Sequence, residues 1–498
     1  MSRWNVRYTS IGVVLTCTAA LGFAFSEQLF PGVSAEAPPS MGDAPVVEQP
    51  IDSQWSSSEG VFRPYGSQVP GVLTFRGNPT RTFYGTGPIP SQAPQVRWTY
   101  PRTGVMCSIS YLGEQGDQWC GMGWTGQPAV FERDGKTLLA FGGFDKKVHL
   151  LDAETGLDVA TPLLTGDIIK GSPTVDPDGF PLIYVGSRDN NLRVVSFEGK
   201  SLKTLWSLNA YDVEPVLWDD DWDASPLVLK DYLLVGGENG HFHAVKLNRS
   251  YDKNGKVVVK PVLVANVRGW DEDLLKVFPK PAVSIENSVS IYGNTVYFAN
   301  SAGLLQGWDL TPLDQGLPPK RVYRLWLGDD TDASIVQDSD GFLYVAVEYE
   351  LGNQRSKDVG QILKINPRIP GDQGIVWRQH VRSKKPDGVW ATPALTATHL
   401  IVPTDSGRVL GLNRRSGALD WSLDYGSQPL WSSPNVVDNT LVLATCGGSL
   451  DAYDLKGALM PQKRWSFKAG RGCFEASAAI WKGRTYIGNR DGKLYGIW

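Results

Sequence analysis

Residue types suited to binding a cation or a ligand recur at one position of this chain. The stretch LWDDDWDASP (217–226) sets four aspartates and two tryptophans directly before a Ser-Pro pair. Such pairs, or their equivalents, occur eight times. The residues two places before the serine position are Thr125, Lys170, Asp223, Glu286, Asp332, Trp390, Trp431 and Glu475. Carboxylates gathered at one place repel, so they must be protonated, paired with a base such as Lys170, or neutralised by a cation. Oxygen donors from Asp, Glu and Asn suit a hard divalent ion such as calcium. The indoles at 390 and 431 offer a flat face to an aromatic or sugar ring. Asp221, Asp220, Asn287, Asp329 and Asp330 thicken the acidic arc, while Asp219 and Asp220 are expected to be solvated in the connection. The competing reading is a wet channel whose polar lining only solvates.

The elements that position these residues come from a repeat. From about residue 124, a small-residue pair opens a short apolar strand, and a second strand of the VYVG type follows. A Gly/Asn/Asp turn then leads to a third strand, and a fourth often carries Trp. The copies are anchored at Pro128, Pro173, Pro226, Val289, Ile335, Pro393, Pro434 and Ala478. Eight four-strand units at spacings of roughly 40–60 residues specify an all-β chain forming a single eight-bladed β-propeller. The last copy stops at Trp498 after three strands, whereas QVRWTYP (95–101) is a spare Trp-bearing strand before the first. It is expected to complete the last blade and remove the open edges. The innermost strand of each blade starts at one rim, so the eight residues should ring the mouth of a central funnel. DPDG (176–179) and DSDG (338–341) lack the other ligands of a calcium loop and read as hairpin turns.

The 498 residues carry 48 basic and 52 acidic side chains, a net charge of −4, which gives no global attraction to nucleic acid or an anionic membrane. Arg3 and Arg7 precede the apolar run 11–25, and small residues follow at Ser34 and Ala35. Residues 1–35 read as a signal peptide cleaved after Ala35, or as an N-terminal anchor if uncleaved. Residues 36–70 read as a disordered linker and 71–498 as the propeller. The chain is thus expected in the periplasm or outside the cell, as a monomer that meets a membrane only through an uncleaved anchor. Cys107, Cys120, Cys446 and Cys473 form an even set for an oxidising compartment, and none has metal or redox C-x-x-C spacing. Their places in the repeat put all four on the funnel face, where pairings 107–120 and 446–473 would staple the rim. The insertion 348–360 emerges there as a lid or partner-binding loop. No G-x-S-x-G or phosphate-loop motif is present.

The unit is carried by Ser172-Pro173, Tyr184-Val185-Gly186, Leu150-Leu151-Asp152-Ala153-Glu154-Thr155-Gly156 and Trp206, Trp326, Trp377, Trp421 and Trp465. It resembles the PQQ-like repeat of quinoprotein alcohol dehydrogenases and their non-enzymatic relatives, which include an outer-membrane assembly propeller lipoprotein. The segment TFRGNPTRTFYGTGPIP (74–90) is similar to the lead-in of bacterial members. For a PQQ- and calcium-dependent dehydrogenase of an alcohol or sugar, the resemblance implies Asp223 as catalytic base and Glu286, Asn287 and Asp332 as metal ligands. Lys170, Trp390 and Trp431 would then contact the quinone. Adjacent cysteines over the cofactor and a C-x-x-C-H haem motif are both absent from the sequence. The first expectation is therefore an envelope ligand-binding or scaffold protein. It would use the acidic, Trp-bearing funnel face to hold a protein, small molecule or carbohydrate.

Overall fold

The computed structural model describes residues 54–498 apart from 67, 113–114, 125, 279–281, 383–385 and 458–459. Within it, each copy of the repeat is one antiparallel sheet. In the third blade the order is Leu227–Leu229, Tyr232–Gly236, His241–Lys246 and Val262–Arg268, from the axis outward. The second strand of this blade is buried at every position, because neighbouring blades cover both its faces. That is why LVLKDYLLVGG reads as a nearly continuous apolar run and shows no alternation. The outermost strands are half-exposed, as in Lys203–Asn209.

Eight such sheets occur, spanning 129–164, 174–209, 227–268, 290–326, 336–379, 394–424, 435–468 and 479–497. The eighth is completed by Val96–Tyr100, which pairs with Lys493–Ile497 and sets Trp98 opposite Gly496. The expected closure by 95–101 is what the sheet shows. The outer-strand tryptophans also lock adjacent blades. Trp98 Nε1 donates to Ala153 O at 3.1 Å, and Trp377 Nε1 to Arg414 O at 3.2 Å. Each indole lies on a glycine of the next blade, Gly156 or Gly417, where an added Cβ would come within 2.5 or 2.6 Å of the ring. Both glycines also have positive φ, so the Thr-Gly and Ser-Gly turns of the repeat are docking sites for the neighbouring tryptophan.

The end of the channel away from the Ser-Pro openings is crossed by residues 65–86. Gly71–Val72 adds to the innermost strand of the first blade. Leu73 O, Pro79 O and Thr80 O accept from Val175, Ile291 and Gln337 of the second, fourth and fifth. Tyr65 and Tyr84 hydroxyls bond to the backbone of Val228 and Leu395 in the third and sixth. Thr86 N donates to Ile480 O of the eighth. Arg76 and Arg81 are fully buried beneath the funnel. Arg76 donates to Pro434 O at 2.5 Å and Pro393 O at 3.1 Å, and Arg81 Nε to Val289 O at 2.9 Å. The lead-in is thus a floor that ties the blades together.

Packing begins ahead of the boundary expected at residue 71, because Trp55, Val61 and Tyr65 are buried against the blades. Residues 1–53, including the expected signal, lie outside the described residues. No helix among the described residues is long and apolar enough to cross a membrane. The two Asp-x-Asp-Gly motifs are hairpin turns. Asp176 Oδ1 accepts from Asp178 N and Asp338 Oδ1 from Asp340 N, while their other oxygens meet Tyr184 with Arg249 and Tyr344 with Arg414.

Candidate functional site

The funnel mouth is built from two repeat positions. The first is the ring expected from sequence. The second lies in the turn after each second strand and comprises Arg188, Glu238, Ser301, Glu348, Asp405 and Arg490 in blades two to six and eight. Their backbone N–H groups donate to the carbonyls of Ile168, Asp221, Ser284, Asp330, Gly388 and Cys473 at 2.9–3.1 Å. Each accepting carbonyl lies two residues before a member of the first ring: 170, 223, 286, 332, 390 and 475. One repeated hydrogen bond therefore sets six of the eight inner-ring positions beside a member of the second ring. Glu238 and Glu348 were missed from sequence. The signal that finds them is alignment of the second-to-third turns GGEN (236–239) and AVEY (346–349) with GSRD (186–189).

Asp223 is completely buried and paired with Lys170, whose Nζ also lies 5.5 Å from the centre of the Trp124 ring. Burial works against the Lys170 charge, but Asp223, Glu238 and Asp221 raise its affinity for a proton above the usual lysine range. Asp221 is paired with Arg188. Burial nevertheless pushes its carboxyl up to about 8. Asp219 and Asp220 are half-buried, not freely solvated. An oxygen of Asp219 comes within 4.8 Å of oxygens of Asp221 and Glu238, and burial with a hydrogen bond to Asp219 pushes Asp220 up to about 6. Glu238 joins Asp223 and Glu286 in a second group of the same span. Burial first, then Glu286 and Asp223, push it well above the carboxylate range.

Glu286 accepts from Ser284 Oγ at 2.7 Å, and Glu475 pairs with Arg490 at 3.0 Å. Burial raises both carboxyls. Asp332 groups instead with Asp330 and Glu348. Trp390 and Trp431 pack on each other with ring centres 5.1 Å apart, and Trp124 lies 5.7 Å from Trp390. Thr125 lies outside the described residues.

The calcium set implied by the resemblance is not assembled. Asn287 Nδ2 donates to Ala299 O at 2.7 Å and Thr331 O at 2.6 Å, and its Oδ1 accepts from Ala299 N. It brackets the backbone of blades four and five. Glu286 and Asp332 fall in different groups, and the quinone contact Lys170 is held by the expected base Asp223. These residues do not fit the quinone and its calcium in the way the resemblance implied.

Both disulfides form as expected. Cys107–Cys120 joins directly opposed residues of the hairpin Cys107–Leu112/Gln115–Cys120, and Cys446–Cys473 ties blade seven to the entry of blade eight. The hairpin is anchored at the mouth. Ser108 donates to Phe144 O at 2.6 Å, Arg188 to Ser110 at 3.4 Å, and Trp119 packs on Phe144 while Arg490 lies over its ring. The insertion 348–360 forms a strand, Glu348–Tyr349, paired with Asp387–Gly388, and a helix, Gln354–Val359.

Residues 360–497 match the family described as outer membrane protein assembly factor BamB. The chain is 30% identical over 134 residues to outer membrane protein assembly factor BamB of Shewanella oneidensis, covering 24% of this chain and 32% of the relative. The match thus spans about a third of that relative's length. The quinohemoprotein alcohol dehydrogenase of Comamonas testosteroni superposes with a TM-score of 0.54 at 13% identity, covering 86% of this chain and 80% of its own. The chain is a PQQ-like β-propeller. The computationally designed Ika8 protein also superposes, with a TM-score of 0.51 at 13% identity, over 77% of this chain and 97% of its own. At that identity both structural likenesses concern the fold. In this PQQ-like propeller the chemistry must be argued from the two rings themselves.

Proposed function

We propose that this PQQ-like propeller is an exported, non-catalytic binding protein of the cell envelope that holds a protein partner at its funnel mouth. The observation that carries this reading is the hairpin closed by Cys107–Cys120. It is fastened to the mouth on one side, yet it leaves Ile109 and Tyr111 50% and 58% exposed on the other. Apolar side chains held out on a braced hairpin beside a carboxylate-lined mouth offer an anchor for apolar groups and a rim for basic ones. The match of residues 360–497 to a family named for outer-membrane protein assembly supports a role among envelope proteins.

A photo-crosslinking residue placed at Tyr111 should capture one envelope protein in living cells, and Ile109→Glu should abolish the adduct. The same residue at Val322, exposed on an outer strand of blade four, is the control. Equal capture from both positions, or none from Tyr111, would refute the reading.

The alternative, a PQQ- and calcium-dependent dehydrogenase with a metal set other than the one the resemblance implied, draws support from Asp223, Glu238 and Glu286, each of which offers an oxygen within 4.8 Å of the others. Purified protein supplied with micromolar PQQ and calcium should then change the quinone absorbance and oxidise alcohols with a dye acceptor. If it does neither, that alternative is lost.

A further inference from the structure

We propose that Asp330, Asp332 and Glu348 form a binding site for a hard divalent cation, calcium in particular, in the wall of the fifth blade. The site goes beyond the partner-binding reading and does not depend on it. It also differs from the calcium set implied by the resemblance, because Glu286 and Asn287 take no part.

One oxygen from each of the three carboxylates lies within 4.8 Å of the others. Opposite ligands of a calcium ion with bonds of about 2.4 Å are about that far apart, so a single ion can touch all three. Asp332 and Glu348 are 7% and 4% exposed. Asp332 Oδ1 and Glu348 Oε1 are buried without a hydrogen-bond partner among the described residues. Buried carboxylate oxygens without donors are costly, and they cost most when several are gathered together.

The surrounding charges make the need for a cation sharper. Asp330 feels Asp332, Glu286, Glu350 and Asp329, and Glu348 feels Asp332, Asp330 and Asp405, all of them acidic. Lys170 acts weakly on Asp332 and is itself held by Asp223. The acidic groups around Asp219 and Asp223 differ, since Arg188 and Lys170 lie within them.

The backbone holds the donors in place before any ion arrives. Glu348 N donates to Asp330 O at 2.9 Å. Asp329 is a positioning residue, whose carboxylate accepts from the N–H groups of Glu350, Leu351 and Gly352 at 3.0, 2.7 and 2.8 Å. It fixes the segment that follows Glu348, and pairing of Glu348–Tyr349 with Asp387–Gly388 fixes that segment's other side. Asp330 is partly exposed, so the group is open to solvent on that side.

The test is calorimetric titration of purified, chelator-treated protein with calcium chloride, repeated with terbium by tryptophan-sensitised luminescence. One equivalent should bind. Glu348→Gln and Asp332→Asn should each weaken binding at least tenfold, and Asp134→Asn, on an exposed turn of the first blade, should leave it unchanged. In chelator, Glu348→Gln should melt no lower than the parent, since it removes a repelling charge, which separates loss of binding from loss of fold. Absence of binding at millimolar calcium overturns the proposal. So does binding that survives the Asp332→Asn, Glu348→Gln double variant. No partner protein enters this experiment, so its outcome is independent of the crosslinking result.

Discussion

Asp405 offers a measurement of what it costs to gather carboxylates in the funnel. It occupies the second ring in blade six, where burial and the charge of Asp387 push its carboxyl from 3.8 up to about 7, against a hydrogen bond from Trp431. A carboxyl whose proton affinity is raised by folding favours the folded state most when protonated. Its contribution is therefore fully present below pH 4 and is lost as the pH rises through about 7. A rise of that size in proton affinity corresponds to about 4 kcal/mol. Asp405→Asn removes the titration while keeping an acceptor for Trp431. Relative to the parent, the variant should gain nothing at pH 4 and about 4 kcal/mol by pH 8. With an unfolding entropy near 2 cal/mol/K per residue over this propeller, that gain is roughly 4–5 °C in Tm. The assay is the difference in melting temperature between variant and parent at intervals from pH 4 to 8. A difference that is flat with pH, or that is largest at pH 4 and fades by pH 8, would refute the assignment. Asp387→Asn should shrink the pH dependence of the parent, because it removes the second cause of the rise.

Two further outcomes test the floor and the bracket. Arg76→Met should leave the carbonyls of Pro434 and Pro393 without their donor and lower stability by about 3 kcal/mol, read as a fall in Tm, while Arg76→Lys should recover less than half because it lacks the planar fork. Asn287→Asp would set a carboxylate against the carbonyls of Ala299 and Thr331, so Tm should drop by several degrees with calcium affinity unchanged. A rise in calcium affinity would instead return Asn287 to the metal set.

The repeat was legible because it is written in local chemistry. Ser-Pro openings, glycine turns and outer-strand tryptophans each have a backbone or docking reason, and the same reason operates in every blade. The first ring followed from that register, as did both disulfides. The second ring was harder to see because its members, Arg188, Glu238, Ser301, Glu348, Asp405 and Arg490, share a position but no residue type. The floor was illegible for a different cause. Nothing in the sequence around Arg76 and Arg81 signals burial, and only closure of the ring shows that they donate to blade carbonyls. Asn287 misled because an amide has both donors and acceptors, and sequence does not say whether the backbone or a ligand takes them.

The two rings together divide the mouth into unlike halves. From blade eight round to blade three, three buried acids are paired with bases, Glu475 with Arg490, Asp223 with Lys170 and Asp221 with Arg188, while Glu238 is not ion-paired among the described residues. From blade four to blade six the described residues supply carboxylates at 286, 330, 332, 348 and 405, and no ion pair among the described residues joins any of these to a lysine, arginine or histidine. A channel that merely solvates would have no cause to sort its charges by blade. Sorting them gives one half in which three acids are paired with bases and another in which no described carboxylate of the rings is ion-paired, so that its charge is relieved by protons, by the more distant Lys170 or by a cation. The apolar hairpin closed by Cys107–Cys120 is anchored on the half with paired charges, through Arg188, Phe144 and Arg490. Glu348 begins the insertion at 348–360, so positive charge supplied to the group of Asp330, Asp332 and Glu348 would lie beside that insertion.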